Sequence, residues 1–263
     1  MKIHFANVYG CTVDNFITHS VPYAIVEDGE EELALSGGWY RLYWDKQRED
    51  QQVWGQAREA RIVMSDFKWN RTPRKILRKN KGKLTYRVAR MKDLSQGEVF
   101  SLKIIFYKYL HARRFAEGAD LEVVEGYQEH FDQYVGSPRE NRRVFTYFYE
   151  GKLIAFSCFE EYPRAYFGSQ FAWDFKNPEL SLGLLQVNLL CSLARKENKD
   201  YVYLGLAYGR ICSYKSRFKG FEFWTGREWS QDKNRYLELL ERDDKVKDLD
   251  DLEKIQDSMY EEI

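Results

Sequence analysis

The 263-residue sequence predicts an α+β fold, a mixed sheet flanked by helices with a smaller N-terminal α/β region, and three observations carry that expectation. Between Ala165 and Trp224, strand-like runs alternate with one strongly apolar helical segment, the pattern of helices laid on a sheet. From Arg143 to Glu160, two apolar runs flank Glu150-Gly151, the signature of a hairpin. Ahead of it, Val99, Leu102, Ile105, Phe106, Tyr109 and Leu110 recur at helical intervals. Hydrophobic residues make up 44 % of the chain and aromatic ones 16 %, so rings are expected to fill much of the core.

In chain order, Met1 to about Asp66 reads as short strands and one helix. Gly37 to Asp45 (GGWYRLYWD) alternates aromatics after a Gly-Gly break, as a strand leaving a turn does. The charged run Asp45 to Glu59 is expected to be a loop or an exposed helix, and the ARIVMSDF that follows a strand. Lys68 to Lys92 holds eleven Lys and Arg residues with no Asp or Glu between them. With Thr72 at an N-cap and Pro73 at the first helical position, Arg71, Arg74, Lys75 and Arg78 would share one helix face. Ser95 and Glu98 form a capping box for the amphipathic helix that ends in His111, Arg113 and Arg114. A shorter helix is expected from Glu122 to Tyr134. After the hairpin come a strand (Ala165 to Trp173), a polar loop with Pro178, an apolar helix (Ser181 to Lys196), a strand (Tyr201 to Leu206) and a last strand (Phe221 to Trp224). Beyond Gln231 the chain becomes an acidic helical tail, expected to be peripheral or partly disordered. The expected division is 1–92, 93–230 and 231–263.

Composition narrows the chemistry. Net charge is zero, so any nucleic-acid surface must be local, and the Lys68–Lys92 stretch is the place for it. No apolar run approaches ~18 residues and no secretory signal is visible, so no membrane partner is expected. Cys11, Cys158, Cys191 and Cys212 lack paired spacing, which fits reduced thiols in a cytoplasmic protein and no metal site. There is no GxSxG, HExxH, Walker or dinucleotide fingerprint, leaving group transfer that depends on positioning.

The element order from the hairpin to Trp224 resembles the GNAT acyltransferase fold. Acetyl-CoA-using members carry paired glycines before the central helix, where backbone N–H groups hold a diphosphate. Here that loop is Asp174 to Leu180 followed by Ser181-Leu182-Gly183, with a single glycine, so a different acyl donor fits better. Trp173-Asp174, Ser181-Leu182-Gly183, Tyr201-Val202-Tyr203-Leu204-Gly205 and Tyr214-Lys215 with Phe218 resemble the C-terminal half of the arginyl-tRNA–protein transferases and their bacterial leucyl-transferring relatives. Asn70 to Asn80, Gly38-Trp39-Tyr40-Arg41 and Tyr109 to Arg114 are similar to that family's earlier motifs. The chain departs from the pattern at Leu206-Ala207-Tyr208 and Ile211-Cys212, and only Cys11 stands where many members have a cysteine cluster.

The resemblance implies attack of a protein or peptide α-amine on the ester of an aminoacyl-tRNA co-substrate, with no other cofactor, and arginine favoured over leucine as the donated residue. Arg71, Arg74, Lys75, Arg78 and Lys79, with His111, Arg113, Arg114 and Arg217, are then expected to contact tRNA. Asp174 would orient the amine or recognise a cationic aminoacyl side chain, or only cap its loop. Lys215 would lie near the terminal nucleotides or the transition-state charge, with Tyr214 and Tyr208 as stacking rings. Gln170, Tyr208 and Ser181 would line the substrate pocket. Two alternatives remain open: an acyl-CoA-dependent N-acyltransferase, and a non-catalytic RNA- or peptide-binding module on the same fold.

Overall fold

The aromatic and β-branched runs do become strands, and the apolar 3.6-residue repeats become helices. The computed structural model describes residues 1–5, 10–13, 16–19, 22–41, 52–116, 131–136, 139–246 and 251. In chain order its strands are β1 (Lys2–Phe5), β2 (Gly10–Val13), β3 (Phe16–His19), β4 (Pro22–Val26), β5 (Trp39–Arg41), β6 (Gln52–Gln56) and β7 (Glu59–Val63). They continue with β8 (Leu84–Arg90), β9 (Arg142–Tyr149), β10 (Lys152–Glu161), β11 (Ala165–Trp173), β12 (Tyr201–Leu206), β13 (Phe221–Trp224) and β14 (Trp229–Ser230). The described α-helices named here are α1 (Glu31–Ser36), α2 (Arg71–Lys79), α3 (Gln96–Ala116), α4 (Leu182–Lys196) and α5 (Lys233–Asp243). Among the described residues no helix is long and apolar enough to cross a membrane.

Two compact units interleave along the chain. The first comprises Met1–Lys68, Pro163–Ala165 and Asn198–Ile263. It holds the antiparallel sheet β1-β4-β6-β5, the β2–β3 ladder, and the antiparallel set β14-β13-β7-β12. Helix α5 covers one face of that set, burying Tyr236, Leu239 and Leu240 against Ala60, Ala207, Phe221 and Phe223. Gly38 has φ +72° and lies so close to Trp224 that a Cβ there would meet the indole at 2.3 Å; only glycine satisfies both demands.

The second unit comprises Trp69–Tyr162 and Tyr166–Glu197. Its antiparallel strands run β11-β10-β9-β8, and the β9–β10 hairpin turns at Glu150 (φ 49°) and Gly151 (φ 79°), the left-handed pair that a two-residue turn requires. Helix α3 lays Leu102, Ile105, Phe106 and Tyr109 on Val144, Phe156, Cys158 and Ala172. Its capping box forms as expected: the Ser95 amide donates to Glu98 at 2.8 Å and the Glu98 amide to Ser95 Oγ at 3.3 Å. Helix α2 is pinned to α4 at its start. Trp69 Nε1 donates to Ser192 Oγ at 2.6 Å, and the Asn70 amide to Asn188 Oδ1 at 3.0 Å.

Several expectations need correction. Helix α2 starts earlier, with Asn70 at the N-cap and Arg71 first, so Pro73 is third. A proline costs nothing there, because first-turn N–H groups have no partner within the helix. Residues 52–56 and Glu59 of the charged run are strand, and the Ala57-Arg58 link between them is buried along with Trp54 and Glu59, so this part of the run is neither an exposed helix nor a surface loop. The tail's first helix is not peripheral, since α5 fills the core of the first unit. Most of the expected Glu122–Tyr134 helix, and the tail after Val246 apart from Asp251, lie outside the described residues.

Candidate functional site

Two clusters of functional groups arise, one on each unit, and they differ in how the chain places its charges. On the second unit, Pro73 and Ile76 anchor the inner face of α2, which turns Arg71, Arg74, Lys75, Arg78 and Lys79 to solvent. None of these five pairs with a carboxylate among the described residues. Cations further along do pair: Lys83 with Glu150 at 2.9 Å, Arg87 with Glu98, and Lys92 with Glu140. The helix therefore offers an uncompensated stripe suited to polyanion contacts. His111 is exposed on α3; Arg113 and Arg114 continue that helix, their side chains outside the described residues.

Asp174 follows β11 directly. Its amide donates to the Ile154 carbonyl at 2.7 Å, and its Oδ1 accepts from the Lys176 amide at 3.2 Å, so it turns the loop. Lys108 Nζ stands 3.8 Å from Oδ2. Its chain neighbours on both sides are rings packed on α3: Trp173 lies 4.6 Å from the Tyr109 ring, and Phe175 stacks on Tyr109 at 5.8 Å. Gln170 Nε2 donates to the Phe171 carbonyl at 3.1 Å. Ser181 precedes α4 with φ 44°, and its carbonyl accepts from Leu184 and Leu185.

On the first unit, β12 runs into a 3-10 helix, Arg210–Arg217, that carries Tyr214, Lys215 and Arg217. Arg217 is exposed and Tyr214 half-buried, but Lys215 is only 4 % exposed. Its ammonium donates to the carbonyls of Leu204 (3.0 Å), Gly205 (3.1 Å) and Leu206. Three successive carbonyls can converge because β12 bulges between Tyr203 and Leu206, where Gly205 has φ +74°. Tyr208 is also buried. Its hydroxyl accepts from the Arg58 amide at 3.0 Å, and the Arg58 guanidinium sits 4.8 Å above its ring. The structure thus brings Tyr208, Tyr214 and Lys215 into one segment but spends Tyr208 and Lys215 on internal contacts.

The residues that organise this segment escape sequence reading. Arg58 pairs with Asp243 at 2.7 Å, both buried, and Asp243 Oδ2 also accepts from the Gly209 amide at 2.8 Å. Arg210 pairs with Asp244 at 3.1 Å, and Tyr236 donates to the Cys212 carbonyl at 3.0 Å. Arg61 is gripped by Glu222 at 2.8 Å and lies 4.0 Å above the Trp229 ring. Glu59 is fully buried with neither oxygen hydrogen-bonded, and burial pushes its carboxyl up to about 8, against the opposing pull of Lys215 and Arg61. The signal for Arg58 and Glu59 was their place directly before an apolar strand; Asp243 carried none among its acidic neighbours.

Residues 102–225 match the family model described as arginine-tRNA-protein transferase, C terminus. The chain is similar to aspartate/glutamate leucyltransferases of Ruegeria pomeroyi (29 % identical over 178 residues) and Ruegeria sp. strain TM1040 (30 % over 178 residues). Each alignment takes in 65 % of this chain and 60 % of the relative's length. A solved structure containing a GCN5-related glucosamine N-acetyltransferase region of a fungal multi-domain β-N-acetylglucosaminidase aligns with 76 % of this chain and 22 % of that one, at 13 % identity and a TM-score of 0.41.

Proposed function

We propose that this chain moves an amino acid from aminoacyl-tRNA to the α-amine of a protein or peptide acceptor. The observation that carries the reading is the solvent-facing stripe of five cations on α2, unpaired among the described residues, in a chain whose residues 102–225 match the arginine-tRNA-protein transferase C-terminus model. An α-amine with a pKa near ~8 is partly neutral at neutral pH, and the ester is already activated, so positioning supplies most of the catalysis. The amine nitrogen attacks the ester carbonyl, the new C–N bond forms as the bond to the tRNA 3′-oxygen breaks, and the amine proton ends on that oxygen.

In this reading Arg71, Arg74, Lys75, Arg78 and Lys79, with His111, Arg113 and Arg114, contact tRNA phosphates from the second unit, and Arg217 does so from the first. Asp174, held by its loop, orients the incoming ammonium group. On the second unit Gln170 and Ser181 contact substrate; on the first, Tyr214 does so, while Tyr208 and Lys215 shape the segment that carries it. The names of the relatives make leucine and arginine the donors to compare, with acceptors beginning in aspartate or glutamate.

The test is transfer of labelled leucine or arginine from charged tRNA to a panel of peptides differing in their first residue. Incorporation into acidic-N-terminal peptides is the expected result. Transfer from acetyl-CoA with none from any charged tRNA would overturn the proposal; tight tRNA binding without transfer would favour a binding module.

A further inference from the structure

Glu59 lies opposite the bulge that Lys215 holds: its register partner across β7 and β12 is Leu206, whose carbonyl is one of the three on the ammonium. Among the described residues it is the one buried carboxyl with both oxygens unpartnered. A buried polar group in that state costs stability, and a second arrangement that gave it a partner would recover part of the cost. The groups that face it are occupied elsewhere. Lys215, from the 3-10 helix, is on the bulge carbonyls; Arg61, two residues along the same strand, is on Glu222 of β13 and between Tyr201 and Trp229. The Tyr203 hydroxyl of β12 accepts from Arg61 at 3.5 Å, and burial keeps that phenol protonated.

We propose that Glu59 is a positioning residue for the transfer reaction, leaving Lys215 on the β12 carbonyls while it is neutral and drawing the ammonium away when it loses its proton to solvent. The inference rests on the proposed function, because it takes the Leu204–Lys215 segment to be part of the reacting site. Trans-planar peptides put each N–H opposite its carbonyl, so a change in the Leu204–Leu206 carbonyls reorients the amides of Gly205 and Leu206 as well. The backbone beside Tyr208 and Tyr214 then has two settings, selected by one proton. The raised carboxyl, at about 8, places the change in the range where the acceptor amine also titrates.

Two measurements on the full-length protein test this. In ¹⁵N-resolved NMR from pH 6 to 9, the Lys215 Nζ and the Gly205 and Leu206 amide signals should move together in the wild type, with a midpoint near 8, and stay fixed in Glu59→Gln. In the charged-tRNA assay, the ratio of wild-type to Glu59→Gln kcat, in which the acceptor amine's own titration cancels, should change across that midpoint, with KM for tRNA unchanged. Static signals in the wild type, or the same titration in Glu59→Gln, would overturn the proposal. If the signals titrate as expected but no charged tRNA supports transfer, the clasp stands and the transferase reading fails.

Discussion

Helix α2 and the segment around β12 use the same side chains for opposite ends. On α2, five Lys and Arg residues stand in water with no carboxylate partner among the described residues. Around β12, Arg58, Arg61 and Lys215 are buried, each committed to a carboxylate or to backbone carbonyls. A cation in water loses little when removed and is free to bind an anion. A buried cation is part of the packing, and its loss strands the partner. The contrast separates a surface built to recognise from a segment built to stay in place.

The largest expected effect comes from breaking the buried side of that contrast. Arg58→Met leaves Asp243 charged and half-satisfied, and should destabilise the protein by roughly 3–5 kcal/mol in urea unfolding. Arg58→Met combined with Asp243→Leu should recover much of that loss, because no charge is then stranded. A double variant no better than the single would mean that the hydrogen bond from the Gly209 amide, not the ion pair, is the important one.

Glu59→Gln tests the same region through pH. The carboxyl is raised from 4.5 to about 8 in the fold, so the folded chain binds the extra proton between those values. Its contribution is fully present below about 4.5 and is lost as pH rises through about 8, on the order of a few kcal/mol in total. The stability of the wild type relative to Glu59→Gln should therefore fall across that window and level off above it. A flat difference in melting temperature would place Glu59 in a more polar setting than its burial implies.

These expectations also show what the sequence could convey. Helix α3 was legible because its apolar repeat and its Ser95–Glu98 box agree, and the hairpin because Glu150-Gly151 suits only one kind of turn. The motifs from Tyr109 to Phe218 were legible as a family pattern, and the matched stretch of 102–225 contains them. The α2 charges lie before that stretch and were visible as a run of cations without acids, spaced for one helix face, and as a likeness to an earlier family motif. What the sequence hid is pairing at a distance. Arg58 and Asp243 are 185 residues apart, and each looks like an ordinary surface charge until the fold brings them together. Lys215 was misleading for the same reason: the sequence offers it to the terminal nucleotides or the transition-state charge, although its ammonium is enclosed by β12 carbonyls.

The exposed side of the contrast gives smaller effects, and of a different kind. Arg74→Ala, Lys75→Ala and Arg78→Ala together should leave stability within about 0.5 kcal/mol, since none of the three is buried or paired. Binding to tRNA should weaken instead, and the slope of log K against log salt should become shallower by about 0.7–0.9 for each phosphate that is no longer neutralised. Equal weakening at every salt concentration would remove these residues from the phosphate-binding surface.

The smallest effect is expected at Lys83, which belongs to the same basic stretch but has a partner. Its ammonium meets Glu150 at 2.9 Å across the start of β8 and the hairpin turn, with both side chains more than half exposed. Water and salt screen such a pair, so Lys83→Met should leave the unfolding midpoint unchanged within error. The variant should also leave the tRNA salt slope near its wild-type value, because Glu150 already neutralises the charge that is removed. A drop in that slope equal to the drop from a single α2 substitution would show that the anion-binding stripe runs past the helix into β8. The line between compensated and uncompensated cations would then have to be drawn by reach to the ligand, with local pairing a secondary matter.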